Sequence, residues 1–96
     1  MALLEEAVSI LQVYPKIKIR IIGFTDKHEC SPSSECKELS RRRAQAVYAW
    51  LLAHGVVSGR VIAVEARGNE EPLDSNEAEG GRQHNRRVEI RISDVD

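Results

Sequence analysis

The sequence lacks any long hydrophobic run. No apolar stretch approaches the roughly 18 residues that a membrane span needs, and the opening MALLEEAVSILQ carries glutamates where a signal peptide would carry positive charge. Neither a membrane helix nor a targeting segment is therefore expected. An excess of charge of one sign is also missing. Fourteen Lys and Arg stand against fifteen Asp and Glu, for a net charge of −1, so no global field draws nucleic acid or anionic lipid, and any anion site must be local. Aromatic residues are scarce, with one Trp, one Phe and two Tyr, which further weakens a nucleic-acid reading based on the arginine runs. There is no internal repeat and no low-complexity tract.

What is present is ordinary globular material. Of the 96 residues, 42% are hydrophobic and 30% charged, which excludes disorder, collagen and coiled coil. A single domain over 1–96 is expected. A chain of this size buries only about 60% or somewhat more of its unfolded surface, so its stability is marginal. Leu3, Leu4, Ala7, Val8, Ile10, Leu11 and Tyr14 recur at helical spacing until Pro15 stops them. A helix starting this close to Met1 suggests that a strand preceding it is missing. Ile17, Ile19 and Ile21 alternate with Lys18 and Arg20 as a half-buried strand ending at Gly23. After a polar loop in which Ser31-Pro32 could open a helix, a second helix runs from about Glu35 to His54 and is capped by Gly55. Val61 to Ala66 forms a second strand that stops at Gly68-Asn69, and Val88, Ile90 and Ile92 form the last. The order helix, strand, helix, strand, strand makes an α+β two-layer sandwich, with a small sheet and the helices packed on one face.

The two cysteines, Cys30 and Cys36, share the polar stretch HECSPSSEC. A disulfide between them closes a loop worth about 2.4 kcal/mol on the chain-entropy model and implies an oxidising compartment. Two free thiols, or a partial zinc site of the form H-x-C-x5-C that includes His28, are the other readings, although that spacing is not a standard zinc pattern.

The second helix holds the most informative residue. With Leu39 set at 0° and about 100° per residue, Ala46 falls at about −20°, Trp50 at about 20° and Val47 at about 80°, which defines a buried stripe. Arg43, at about 40°, lies inside it, whereas Arg41 and Arg42 lie on or beyond its rim. A guanidinium directed at a core edge requires a fixed anionic partner, either in a structural salt bridge or as the carboxylate of a ligand. Asp26, just past the carboxyl end of the first strand, is the natural neighbour, since open α/β sheets place ligands there. One carboxylate opposed to one guanidinium suits a zwitterion of the amino-acid type, with ammonium to Asp26 and carboxylate to Arg43. A third cluster is Arg82, Asn85, Arg86 and Arg87. Strand alternation turns Arg86 inward with Val88 and Ile90, and Arg87 outward. It is a solvated turn, a reinforcement of the anion site, or a pin between the last strand and the loop after Gly68. His28, His54 and His84 are scattered and no catalytic triad has a recognisable context, so no enzyme, metal or cofactor is expected. His54 is explained by its place at a helix C-terminus.

The run IRIIGFTD, then LSRRRAQAVYAWLLAHGV, then Gly68, Pro72 and Asn76, and finally GRQHNRRVEIRI resembles the OmpA-like C-terminal domain found in outer-membrane proteins, Pal lipoproteins and MotB stators. The likeness spans about 17–92. It implies a βαβαβ-type sandwich with a mixed sheet, from which this chain lacks the first strand. It also implies non-covalent, non-enzymatic binding of peptidoglycan on the periplasmic side of a Gram-negative outer membrane, within a larger protein anchored to the membrane outside this segment. Homodimerisation is left open. By the resemblance, Asp26 and Arg43 match the family positions that hold the diaminopimelate of the stem peptide, with Thr25, Leu39, Arg86 and Arg87 in support. Phe24 stands where the family most often has histidine and reads as packing, and Cys36 stands where it often has asparagine. These two departures motivate an alternative, a periplasmic protein-interaction domain of the same fold.

Overall fold

The computed structural model describes residues 2–26, 33–69 and 86–95. Along them the chain forms α1 (Ala2–Val13), β1 (Ile17–Phe24), α2 (Ser33–Ala53), a single turn of 3-10 helix (Ser58–Arg60), β2 (Val61–Gly68) and β3 (Val88–Val95). The expectations for Cys30, His28 and Pro32, and those for Pro72, Asn76, Arg82, His84 and Asn85, lie outside the described residues.

β1 is the centre of a mixed sheet of order β2-β1-β3, parallel to β2 and antiparallel to β3. Parallel neighbours cannot be joined by a tight turn, and α2 supplies the crossover between β1 and β2. Alternation along β1 turns Ile17, Ile19 and Ile21 toward the helices, where they join Leu11, Ala44, Leu51 and Val56 in the core, with Val8, Val47, Tyr48, Trp50, Val64 and Ile90 packed around them. The expected two-layer α+β sandwich is the fold observed.

The C-terminus of α2 ends as its glycine predicts. Gly55 has φ 97°, its N–H donates to Leu52 O at 3.3 Å, and Val56 N–H donates to Leu51 O at 3.0 Å. This is the Schellman pattern, and it buries Val56 beside Leu51. His54 stacks on Trp50 with ring centroids 3.6 Å apart, and its Nδ1 lies 2.8 Å from Trp50 O. The strands run further than alternation alone indicated, β2 through Gly68 and β3 to Val95.

One expectation is corrected. The residues of α2 that are buried against the sheet are Cys36, Ser40, Ala44 and Leu51, which centre at about 100° on the wheel rather than about 20°. Ala46 is exposed, and Trp50 and Leu39 are only half-buried. The reason is steric. A Cβ added at Gly23 would sit 2.0 Å from Ser40 O and 3.3 Å from Ala44 Cβ, so β1 and α2 meet through their smallest residues, and a wheel weighted by hydrophobicity points elsewhere. Arg43 accordingly sits half-buried on the rim of the contact, not inside it.

Candidate ligand-binding site

Close approach at Gly23 also builds the end of the sheet where β1 finishes. Ser40 is fully buried; its Oγ donates to Lys37 O at 2.8 Å and accepts the Gly68 N–H at 2.9 Å. Gly68 adopts φ 60°, a left-handed conformation that favours glycine, and its carbonyl accepts Thr25 N–H at 2.7 Å. On the other side of β1, Phe24 N–H donates to Arg87 O at 2.8 Å. The segment Phe24-Thr25-Asp26 is thus held from both flanks, and all three residues are at most 2% exposed.

Asp26 is the charged member. Its carboxylate is 1% exposed, and Oδ2 lies 3.2 Å from Arg86 Nη1, on a side chain 28% exposed. A buried carboxylate is costly without an opposed charge, and Arg86 provides one from the inward phase that strand alternation assigns to it. Arg43 reaches the same strand end from α2, where its Nη1 donates to Phe24 O at 3.2 Å. The structure therefore gathers Asp26, Thr25, Arg43 and Arg86 at the carboxyl end of β1, and adds the carbonyl of Phe24 as an acceptor that sequence reasoning missed. Leu39 is half-buried one turn before Arg43.

Arg87 takes the opposite direction. Its guanidinium lies over the Phe24 ring, 3.7 Å from the centroid, on the face of the sheet away from the helices. It supports Phe24 from outside rather than reaching Asp26. Phe24 is completely buried, as its packing role requires. Cys36 is buried at 1%, and the described residues include no free cysteine; Cys30 lies outside them. Among the described residues, no three His, Cys, Asp or Glu side chains converge as a metal site.

Gly23 and Ser40 were not expected to matter. The signal was present, in a glycine late in a strand facing the small residues Ser40 and Ala44, which are four apart on one helix face.

The model of the OmpA family matches residues 1–86. The chain is 36% identical over 87 residues to the probable lipoprotein YiaD of Escherichia coli, covering 88% of this chain and 37% of that protein. It is 38% identical over 85 residues to the peptidoglycan-binding protein ArfA of Mycobacterium tuberculosis, covering 86% of this chain and 24% of that one. The crystal structure of the C-terminal domain of Helicobacter pylori MotB superposes with a TM-score of 0.83 at 30% identity, over 97% of this chain and 70% of that chain. The chain thus spans well under half the length of the two curated relatives.

Proposed function

The chain belongs to the OmpA family, and from that premise we propose that it binds peptidoglycan non-covalently and tethers a larger envelope protein to the cell wall from the periplasmic side of the outer membrane. It is a binding module and not an enzyme, in keeping with its family. The ligand is the diaminopimelate of the stem peptide. Asp26 accepts the ammonium of its side-chain zwitterion, Arg43 donates to its carboxylate, and Arg86 orients Asp26 and adds positive charge beside it. Thr25 and Leu39 border the ligand, and Arg87 acts through Phe24. The observation that carries this reading is the buried carboxylate of Asp26, held at the same strand end that receives the Arg43 guanidinium. A charge at 1% exposure beside polar groups of opposite sign fits a small dipolar ligand better than a broad protein surface does.

Cys30 and Cys36 form a disulfide in this proposal and close the loop that leads from Asp26 to α2. Support comes from the burial of Cys36 and from the absence of a free cysteine among the described residues. Alkylation followed by mass measurement, with and without reductant, tests it; two alkylated thiols without reductant would refute the bond.

Titration of a diaminopimelate-containing stem peptide into the parent chain, Asp26→Ala and Asp26→Asn tests the ligand assignment. Removing one partner of a buried charge contact costs about 2 kcal/mol or more, a loss of roughly thirtyfold or greater in affinity. Equal affinity in all three proteins would sink the proposal, and the near-isosteric asparagine guards against a loss that merely reports unfolding.

A further inference from the structure

Among the described residues the strand order is β2-β1-β3, so β3 lies at an edge of the sheet. Phe24 N–H donates to Arg87 O, and in an antiparallel pair the residues that bond to a neighbour alternate with those that do not. Arg87, Glu89 and Arg91 therefore turn their main-chain groups to β1, and Val88, Ile90 and Ile92 turn theirs to the outer edge. Strand edges of this kind are templates for pairing with another chain. The register with β1 slips between Lys18 and Ile19, past Ile92, so the regular stretch of the edge is 88–92.

An apolar groove of about 760 Å³ runs beside this edge, with Leu4, Ala7 and Ile10 contributed by α1 and Val88, Ile90 and Ile92 by β3. Ile10 is 45% exposed and Ile92 58%. Contiguous apolar surface at an open strand edge marks a place where something docks.

The charge pattern of the edge specifies the occupant. In the run Val88-Glu89-Ile90-Arg91-Ile92, opposite charges flank a central isoleucine. When a strand pairs with a second copy of itself, antiparallel about a two-fold axis, the residue on the axis fixes every other facing. Centred on Glu89, the pairing sets glutamate against glutamate, and centred on Arg91 it sets arginine against arginine. Centred on Ile90, it sets Glu89 against Arg91 of the second copy, twice over, and Val88 against Ile92. Opposite charges facing across strands stabilise a pair and like charges destabilise it. Ile90 is also in the phase whose main chain faces outward, so the axis passes through a hydrogen-bonded pair, and Glu89 and Arg91 meet in the closer, non-hydrogen-bonded pairs. Burial alone would raise the pKa of Glu89, but hydrogen bonds and charge from Arg87 and Arg91, at 2.6 and 2.7 Å, hold it below the ordinary carboxylate value, as Arg20 and Arg67 do for Glu65. Glu89 therefore enters the pairing as an anion at neutral pH.

We propose that two copies of this chain pair edge to edge through residues 88–92 of β3, antiparallel about a two-fold axis at Ile90, so that two three-stranded sheets become one. The helices of both copies then lie on the same face, the two grooves join at the axis, and each Ile92 packs on Val88 of the second copy. None of these residues belongs to the Asp26 site, so the dimer stands or falls apart from peptidoglycan binding.

Sedimentation equilibrium from micromolar to millimolar chain tests the proposal, and a monomer–dimer equilibrium is expected. Glu89→Arg and Arg91→Glu each turn both opposed pairs into like pairs, so either variant alone is expected to dimerise about tenfold more weakly or worse. Mixed in equal amounts, the two restore opposite charges at both facings, and a heterodimer about as tight as the parent dimer is expected. Ile92→Lys places a charge on the edge at a position already 58% exposed; it is expected to abolish the dimer with the circular dichroism spectrum unchanged, and it keeps the test decisive if the charge variants do not fold. A chain that stays monomeric throughout, a dimer that Ile92→Lys leaves intact, or a mixture no tighter than the single variants would overturn the proposal. Uptake of an apolar dye by a chain that stays monomeric would give the groove to a partner of another kind and overturn it as well.

Discussion

The two ends of β1 use arginine in opposite ways. At its start, Arg60 donates from Nε to Ile17 O at 2.9 Å, from Nη1 to Leu11 O at 3.0 Å and from Nη2 to Tyr14 O at 2.6 Å. One guanidinium thereby ties the last turn of α1 and the turn that follows it to the first residue of β1, and at Leu11 it meets one of the carbonyls that a helix terminus leaves over. At its finish, Arg86 faces a buried side-chain carboxylate and Arg43 reaches the neighbouring main chain. The first arrangement joins a cation to dipoles that the fold itself would otherwise leave short of donors. The second sets a buried side-chain carboxylate against a guanidinium, a group that the fold does not need for its own carbonyls. Three carbonyls occupy Arg60 and make it structural, whereas the end that gathers a buried carboxylate with the guanidinium groups of Arg86 and Arg43 is the candidate place for a ligand.

Breaking the junction between helix and sheet should have the largest effect. Gly23→Ala forces a Cβ against the Ser40 carbonyl, where backbone on both sides resists movement. A loss of about 3 kcal/mol or more is expected in urea unfolding, enough to unfold much of a domain this small. The residue is also the footing of the ligand end, so binding should fail along with folding.

Arg60→Ala sharpens the comparison. Losing a charged donor to three carbonyls should cost about 2 kcal/mol of stability, read as a lower midpoint in the same titration. Stem-peptide affinity measured below the unfolding transition should not change. Arg43→Ala should show the reverse, an affinity loss of roughly tenfold or more with a stability change below about 1 kcal/mol, because its side chain is only half-buried. If both variants lost stability equally and neither lost affinity, the distinction between the ends of β1 would collapse.

The smallest effect concerns acid. The folded-state pKa values of Glu65 and Glu89 lie below the ordinary carboxylate value, so the stability they contribute is fully present above the unfolded-state pKa and is lost as pH falls through the folded-state pKa. Stability measured from neutral pH downward should therefore hold until the ordinary carboxylate range and decline below it. Glu65→Gln/Glu89→Gln should flatten that decline, and an unchanged acid limb would show that other carboxyls control it. With their side chains 27% exposed, solvent screening keeps the contribution modest.

Periodicity and turn chemistry determined most of the architecture before any coordinates. The period-2 alternation at Ile17 to Ile21 and Val88 to Ile92, the halt at Pro15 and the glycine at position 55 specify local states of the backbone, and local states are what sequence spacing encodes. The polar strand end that carries Asp26 was legible for the same reason, whereas Arg43 was singled out as a charge inside a buried stripe that the fold places elsewhere. What only the tertiary structure decided was which face of α2 meets the sheet. That choice depends on how closely two backbones can approach, and Gly23, Ser40 and Ala44 settle it through the absence of side-chain bulk, which a hydrophobicity count does not weigh. It moved Arg43 from the core to the rim, gave the Asp26 carboxylate to Arg86, and assigned Arg60 a role that no spacing in the sequence announces, because the carbonyls it joins are 43 to 49 residues away along the chain.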